Sequence, residues 1–223
     1  MKYNNIIPAR FISRPNRFIA NVEIEGENRI AHVKNTGRCK ELLIPGVQVF
    51  LQHCESIARK TAYDLIAVKK GEQVVNIDSQ APNILFGEWA QKTWPGAQLK
   101  REVFYKDSRF DWMIKDGDRT IYTEVKGVTL EENGLALFPD APTLRGLKHI
   151  HGLIDAVQNG YEACLFFVIQ MENVTAFSPN RRTQPEFADA LRQAEKRGVD
   201  IRAYSCKVSR DQITVFNPID IFL

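Results

Sequence analysis

Between residues 10 and 78 the apolar positions fall in short alternating runs, interrupted at intervals by turn residues. Arg10–Ser13, Phe18–Glu25, Arg29–Lys34, Val47–His53, Tyr63–Lys69 and Gln73–Asp78 read as strands, because side chains two apart share a face. Their separators, Arg14-Pro15-Asn16, Gly26-Glu27-Asn28, Ile44-Pro45-Gly46 and Lys69-Lys70-Gly71-Glu72, carry turn chemistry. So many short strands in so short a span predict a small barrel, with an OB-fold as the natural candidate. A short helical piece is expected over Arg38–Leu43.

The pattern changes after Asp78–Pro82, which sets a boundary between residues 1–80 and 81–223. Pro82 disfavours helix in the residue before it, and Asn83 is expected to cap a helix over Ile84–Thr93. A second helix over Thr143–Asn159 gathers Leu147, Ile150, Leu153, Ile154 and Val157 on one face. Arg145, Lys148, His149, Gly152 and Asp155 lie on the other, His149 near the edge. Ala163–Met171 is a continuous apolar run, the pattern of a buried strand. Pro185–Arg197 reads as an amphipathic helix closed by Gly198, and Ile201–Ser205 and Ile213–Phe216 as later strands. This alternation predicts an α/β domain with a mixed sheet flanked by helices.

Within that domain, Arg109–Ile114 and Thr120–Val128 form a predicted hairpin around Asp116-Gly117-Asp118. Alternation puts Arg109, Asp111 and Met113 on one face and Phe110, Trp112 and Ile114 on the other. Tyr122, Glu124 and Lys126 share a face of the second strand. A turn centred between Gly117 and Asp118 sets Asp111 opposite Glu124, and a slip of one residue would separate the acids. Two carboxylates beside an ammonium suit a hard divalent ion, Mg²⁺ or Mn²⁺, which takes few protein carboxylates and completes its shell with water and phosphate. Such a centre polarises a phosphodiester and activates water, with Lys126 placed to orient that water or to stabilise developing charge. Periodicity alone favours an ordinary amphipathic hairpin whose charges pair across the strands, because such hairpins are common and Glu-x-Lys is a weak pattern.

An Asp on one strand and Glu124-Val125-Lys126 on the next resembles the PD-(D/E)xK nuclease motif. The surrounding words TEVKGVTL, ALFPDAPTLRGLKH and NTGRCKELLIPG are similar to those of the sugar fermentation stimulation protein A family, in order along nearly the whole chain. That resemblance implies a small N-terminal OB-like barrel, a nuclease-like α/β domain and DNA as partner. It also implies an acid from the first helix, Glu88, as a further metal ligand, with Glu102 competing for that place. Asp111, Glu124 and Lys126 are then the expected catalytic set. Arg38, Arg101, Arg109, Arg145, Lys148 and His149 are the expected nucleic-acid contacts. Arg38 departs from the family, which often has small or uncharged residues there. Nevertheless, the Asn35-Thr36-Gly37-Arg38 loop could offer backbone N–H groups to a phosphate. A role in sugar metabolism rests on the family's name alone.

Net charge is only +3, but it is uneven: residues 1–80 hold 12 Lys and Arg against 8 Asp and Glu, leaving 18 against 19 for the rest. A basic first part suits a polyanion, and an acid-richer second part suits a metal. Arg14, Arg17, Phe18, Lys34, Arg38 and Lys40 are the groove candidates of an OB-fold. Cys39, Cys54, Cys164 and Cys206 have no zinc spacing and read as reduced thiols of a cytoplasmic protein. No apolar run reaches the length of a membrane span, and no glycine fingerprint, P-loop or nucleophilic triad points to a small-molecule cofactor.

Overall fold

A computed structural model describes residues 1–55 and 59–223. The first six strands are β1 (Ile6–Ser13), β2 (Ile19–Ile24), β3 (Glu27–Val33), β4 (Gln48–His53), β5 (Tyr63–Lys70) and β6 (Gln73–Asn76). β1 pairs antiparallel with β2 and β4, β2 with β3, and β4 with β5. β3 then meets β5 in parallel and closes the circuit. The result is a five-stranded barrel of OB type, whose closure removes the exposed edges of an open sheet. Most inward positions are small or branched, Ala20, Val22, Ala31, Val49 and Leu65 among them, with Phe11 as a large exception.

The connection after β3 is not helical. The N–H groups of Leu42 and Leu43 both bond to the Cys39 carbonyl, closing a single turn, and Cys39 itself has φ +45°. Arg14 organises this segment by donating to the carbonyls of Arg17, Asn35, Gly37 and Arg38 at 2.6–2.8 Å.

The remaining chain forms α1 (Ala81–Thr93), β7 (Gln98–Tyr105), β8 (Ser108–Asp116), β9 (Arg119–Val128), β10 (Leu130–Glu132), β11 (Leu135–Phe138) and α2 (Leu144–Gln158). Then follow β12 (Glu162–Ile169), β13 (Ala176–Pro179), α3 (Pro185–Lys196), β14 (Asp200–Val208), β15 (Ile213–Pro218) and β16 (Asp220–Ile221). The main sheet runs β15-β14-β12-β9-β8-β7. Its centre, β9, β12 and β14, is parallel and its flanks are antiparallel, so the sheet is mixed. α1 covers one face through Phe86 and Trp89 against Phe166. α2 covers the other with Ile150 and Leu153, and Phe187 of α3 is buried in the same core. Each fully buried side chain of this size stabilises the fold by about 1.5–3 kcal/mol. No helix among the described residues is long and apolar enough to cross a membrane.

The two parts share a buried polar joint. Asp78, fully buried, accepts from Lys34 Nζ at 2.7 Å and from the Tyr3 hydroxyl at 3.2 Å. Gln170 Nε2, from the far end of β12, donates to Asn76 Oδ1 and to the Asp78 carbonyl. The first residues also pair with the second domain, through Tyr3 N–H to the Asp211 carbonyl and the bridge Lys2–Gln212.

Candidate active site

The β8–β9 hairpin has the expected register, Trp112 opposite Thr123 and Asp116 opposite Arg119. The expected single apolar face on β8 does not hold. Trp112 packs on α1, its ring 5.8 Å from Phe86, whereas Phe110 packs on α2, 6.3 Å from His149. The physical reason lies in the neighbouring strand. The β7–β8 ladder pairs Arg101 with Trp112 and Val103 with Phe110 but skips Glu102 and Asp111, and Glu102 has φ +54°. This interruption re-aims the chain at Asp111, as ladder irregularities beside functional residues often do.

Asp111, freed from regular pairing, is held by its own oxygens. Oδ2 accepts from the Val125 N–H at 2.8 Å and Oδ1 from Asn83 Nδ2 at 3.1 Å. Asn83 is therefore not the helix cap; α1 begins at Ala81, with Gln80 in the cap position, and Asn83 bridges Asp111 and the Trp112 indole. Burial, and then the charge of Glu124, push the Asp111 carboxyl above the usual range, against the pull of Val125 N–H, Lys126 and Asn83.

Glu124, only 2% exposed, points towards α2. Its Oε1 accepts from both Lys126 Nζ and His149 Nδ1. An ionised carboxylate only accepts, so His149 carries its proton on Nδ1. Burial raises the Glu124 carboxyl, but His149 and Lys126 together bring it below the usual range. Oε2 is buried and has no hydrogen-bond partner. A polar atom left this way costs about 1–3 kcal/mol.

These residues fit a hard divalent ion. Among the described residues no group of three or more His, Cys, Asp or Glu forms a ready metal cluster. Two carboxylates, one of them with an unpartnered oxygen, suit an ion that keeps much of its water, not a closed structural zinc.

The structure brings together Asp111, Glu124, Lys126 and His149. It takes Glu88 elsewhere: its Oε2 accepts from the Met1 ammonium at 3.0 Å, in the α1–β15 region. Glu102 is exposed and paired with Arg109. Arg101, on β7, lies over the Trp112 ring at 5.4 Å, and Arg109, two residues before Asp111 on β8, lies over Phe104 at 5.8 Å; both are exposed. Arg145 and Lys148 are exposed on α2, while His149 is buried against Glu124 and has no open face for a phosphate. Arg38 is exposed, but the expected backbone anion cradle is already filled. The Gly37 N–H bonds to Asn35 Oδ1 at 2.7 Å, and the Arg38 N–H to Asp140 Oδ2 at 3.1 Å. Sequence reasoning missed Asn83 and the pairing of His149; the sign available was a histidine at the margin of an apolar helix face.

An OB barrel joined to an α/β domain that carries Asp, then Glu-x-Lys, on adjacent strands defines the class as OB-fold plus PD-(D/E)xK-like fold. Within it, the family model "Sugar fermentation stimulation protein RE domain" matches residues 80–212 and "SfsA N-terminal OB domain" matches residues 12–77. The chain belongs to the sugar fermentation stimulation protein (SfsA) family. It is 55% identical to the sugar fermentation stimulation protein homolog of Desulfitobacterium hafniense over 96% of this chain and 94% of that protein. The Clostridium beijerinckii homolog is 50% identical over the full length of both. A solved structure of Pyrococcus furiosus SfsA in complex with Ca²⁺ superposes with a TM-score of 0.90 at 28% identity, covering 100% of this chain and 98% of that one.

Proposed function

We propose that this protein binds DNA and hydrolyses its phosphodiester bonds with a divalent cation, Mg²⁺ or Mn²⁺, at Asp111, Glu124 and Lys126. The observation that carries the reading is the buried, unpartnered Glu124 Oε2 beside a second carboxylate whose charge it disfavours. Asp111 and Glu124 would hold the ion, which when bound supplies charge stabilisation at the phosphate and lowers the pKa of water. Asn83 and the Val125 N–H fix the Asp111 carboxylate. His149 fixes Glu124 through Oε1, which leaves Oε2 without a partner. Lys126, 16% exposed, orients the attacking water and neutralises charge on the phosphate. Arg101 and Arg109 contact flanking phosphates. The Ca²⁺ complex of the Pyrococcus relative supports a divalent ion in this family. Four free thiols suit a reducing cytoplasm.

The test is cleavage of single- and double-stranded DNA with Mg²⁺, Mn²⁺ or EDTA. Cutting that needs the ion, and that is lost in Asp111→Ala and Lys126→Ala, is the expected result. Full metal-dependent cleavage by either variant removes these roles. A second reading, a non-catalytic DNA-binding protein on the same scaffold, is favoured by one observation: Lys126 pairs with Glu124 and His149 bonds to it with no metal ion involved. Binding that weakens steeply with salt, without cutting under either metal, decides for it.

A further inference from the structure

Phe18 is 54% exposed, yet it is not loosely held. Asn16 Oδ1 accepts from the N–H groups of Phe18 and Ile19, and the Phe18 carbonyl accepts from Val33 N–H at 2.7 Å. Phe18 walls a cavity of about 370 Å³ bounded by the β1–β2 loop, β3 and Arg59 of the β4–β5 connection, with Ser79 and Gln80, the residues leading into α1, closing one side. These are the loops through which OB barrels take oligonucleotides. The charges lining this cavity are compensated: Lys34 is paired with Asp78, and Arg59 with Asp64. What remains is the Phe18 face, the His32 ring beside Asp64, and the neutral polar groups of Asn35, Thr36, Ser79 and Gln80, a lining for a base and not for a phosphate.

The adjoining cavity, about 530 Å³, shares Thr36 and has the opposite character. Arg17, Arg38 and Lys40 line it, all exposed, and none is paired with an acid among the described residues. No carboxylate lines it among the described residues. Arg14, spent on four backbone carbonyls, holds the loops that carry these cations in place. A third space of about 330 Å³ runs from Asn35–Gly37 past Pro82 to Gly127, the residue after Lys126.

We infer that this protein takes single-stranded nucleic acid, seating one unstacked base against Phe18 and adjacent phosphates on Arg17, Arg38 and Lys40, with the strand continuing along the interdomain crevice towards Lys126. The inference rests on the DNA-binding reading and names its substrate class. A cavity of this size holds a single small ligand, and a ring face is open only to a base that is not stacked in a duplex.

The test is fluorescence anisotropy in EDTA, with a labelled oligothymidine of about 15 nucleotides, within the site size of an OB barrel, and a blunt duplex of the same length. The wild-type chain should bind the single strand at least about tenfold more tightly. Phe18→Ala should weaken it about 5- to 100-fold, the range for losing one base stack, and Phe18→Trp should restore it. The log–log salt slope should be unchanged in Phe18→Ala. In the triple variant Arg17→Ala/Arg38→Ala/Lys40→Ala it should fall by about 2, the value for three phosphate contacts on a single strand. Equal or tighter duplex binding, or a change below about twofold in Phe18→Ala, overturns the inference. Cleavage under Mg²⁺ is read separately: stacking-dependent binding without any cutting sinks the nuclease reading and leaves this one standing, and duplex cutting with silent Phe18→Ala does the reverse.

Discussion

The cationic cradle on the barrel and the carboxylate centre between α1 and α2 carry opposite charge in opposite surroundings. Arg17, Arg38 and Lys40 stand in water, where an unpaired charge costs little and acts at a range set by salt. Glu124 is buried and Asp111 half-buried, where each charge has to be matched by the protein. The matching is visible: Val125 N–H and Asn83 on one acid, Lys126 and His149 on the other. The lesson is that the cradle needs only a scaffold, while the centre needs an environment. Changes at the first should alter encounter and salt dependence; changes at the second should alter chemistry and the response to metal.

The strongest way to break that contrast is Glu124→Gln. Cleavage under Mg²⁺ should fall by at least about 10²-fold, since even residues supporting a metal ligand are worth 10- to 100-fold. Mn²⁺ should raise the Tm of the wild-type chain, and that rise should vanish in the variant, while strand binding in EDTA is not weakened. A Tm rise of undiminished size would place the ion elsewhere.

The acids also predict how metal affinity depends on pH. Asp111 has its carboxyl raised by burial and by Glu124, so it begins to protonate at a higher pH than an ordinary aspartate, near 3.9. Mn²⁺ affinity should therefore begin to weaken at a higher pH than for an ordinary aspartate site. The stability effects have opposite signs. A raised Asp111 favours the metal-free fold at low pH, and that contribution is lost as pH rises through its folded value. Glu124, lowered by His149 and Lys126, stabilises above the ordinary glutamate value, near 4.3, and this is lost as pH falls through its depressed one. Isothermal titration at several pH values checks the binding; an affinity flat down to about pH 4 contradicts the raised Asp111.

Smaller in effect is Gly127→Ala, at the joint that separates the two regions. A Cβ there would lie 2.5 Å from Gln170 Oε1 and 2.6 Å from Pro82 Cγ. Gln170 cannot retreat without losing Asn76 and the Asp78 carbonyl. Overpacking of this kind costs about 1–3 kcal/mol, a fall in Tm of roughly 2–4 °C per kcal/mol for a chain of this length. An unchanged Tm would mean that the joint is softer than its contacts indicate.

Much of this was legible in the sequence wherever information was local. The Asp-Gly turn and the period of two fixed the β8–β9 register, and the turn clusters marked the barrel strands. What was illegible depends on partners distant in sequence. The turning of β8 at Asp111 follows from Glu102 on another strand, and Asn83 looks like a cap until Asp111 lies beside it. The sheet of β10, β11, β13 and β16 is built from strands of two to four residues, too short for any periodicity to register. His149 lay at the margin of its helix face, where a projection cannot distinguish solvent from a buried carboxylate.

The smallest expected effect belongs to Glu88, the acid that family resemblance placed in the metal centre. Its partner is the Met1 ammonium, and its side chain is 45% exposed. Glu88→Gln should therefore leave Mn²⁺ affinity within about twofold and lower stability by no more than about 1 kcal/mol, the usual worth of an exposed ion pair. The measurement is sharp because the two placements predict different things. A ligand loss would appear in the metal titration, whereas the loss of a surface pair would appear only in EDTA, as a small drop in Tm. A Mn²⁺ affinity reduced tenfold would bring α1 into the centre, and the metal would then draw on three acids instead of the Asp111–Glu124 pair alone.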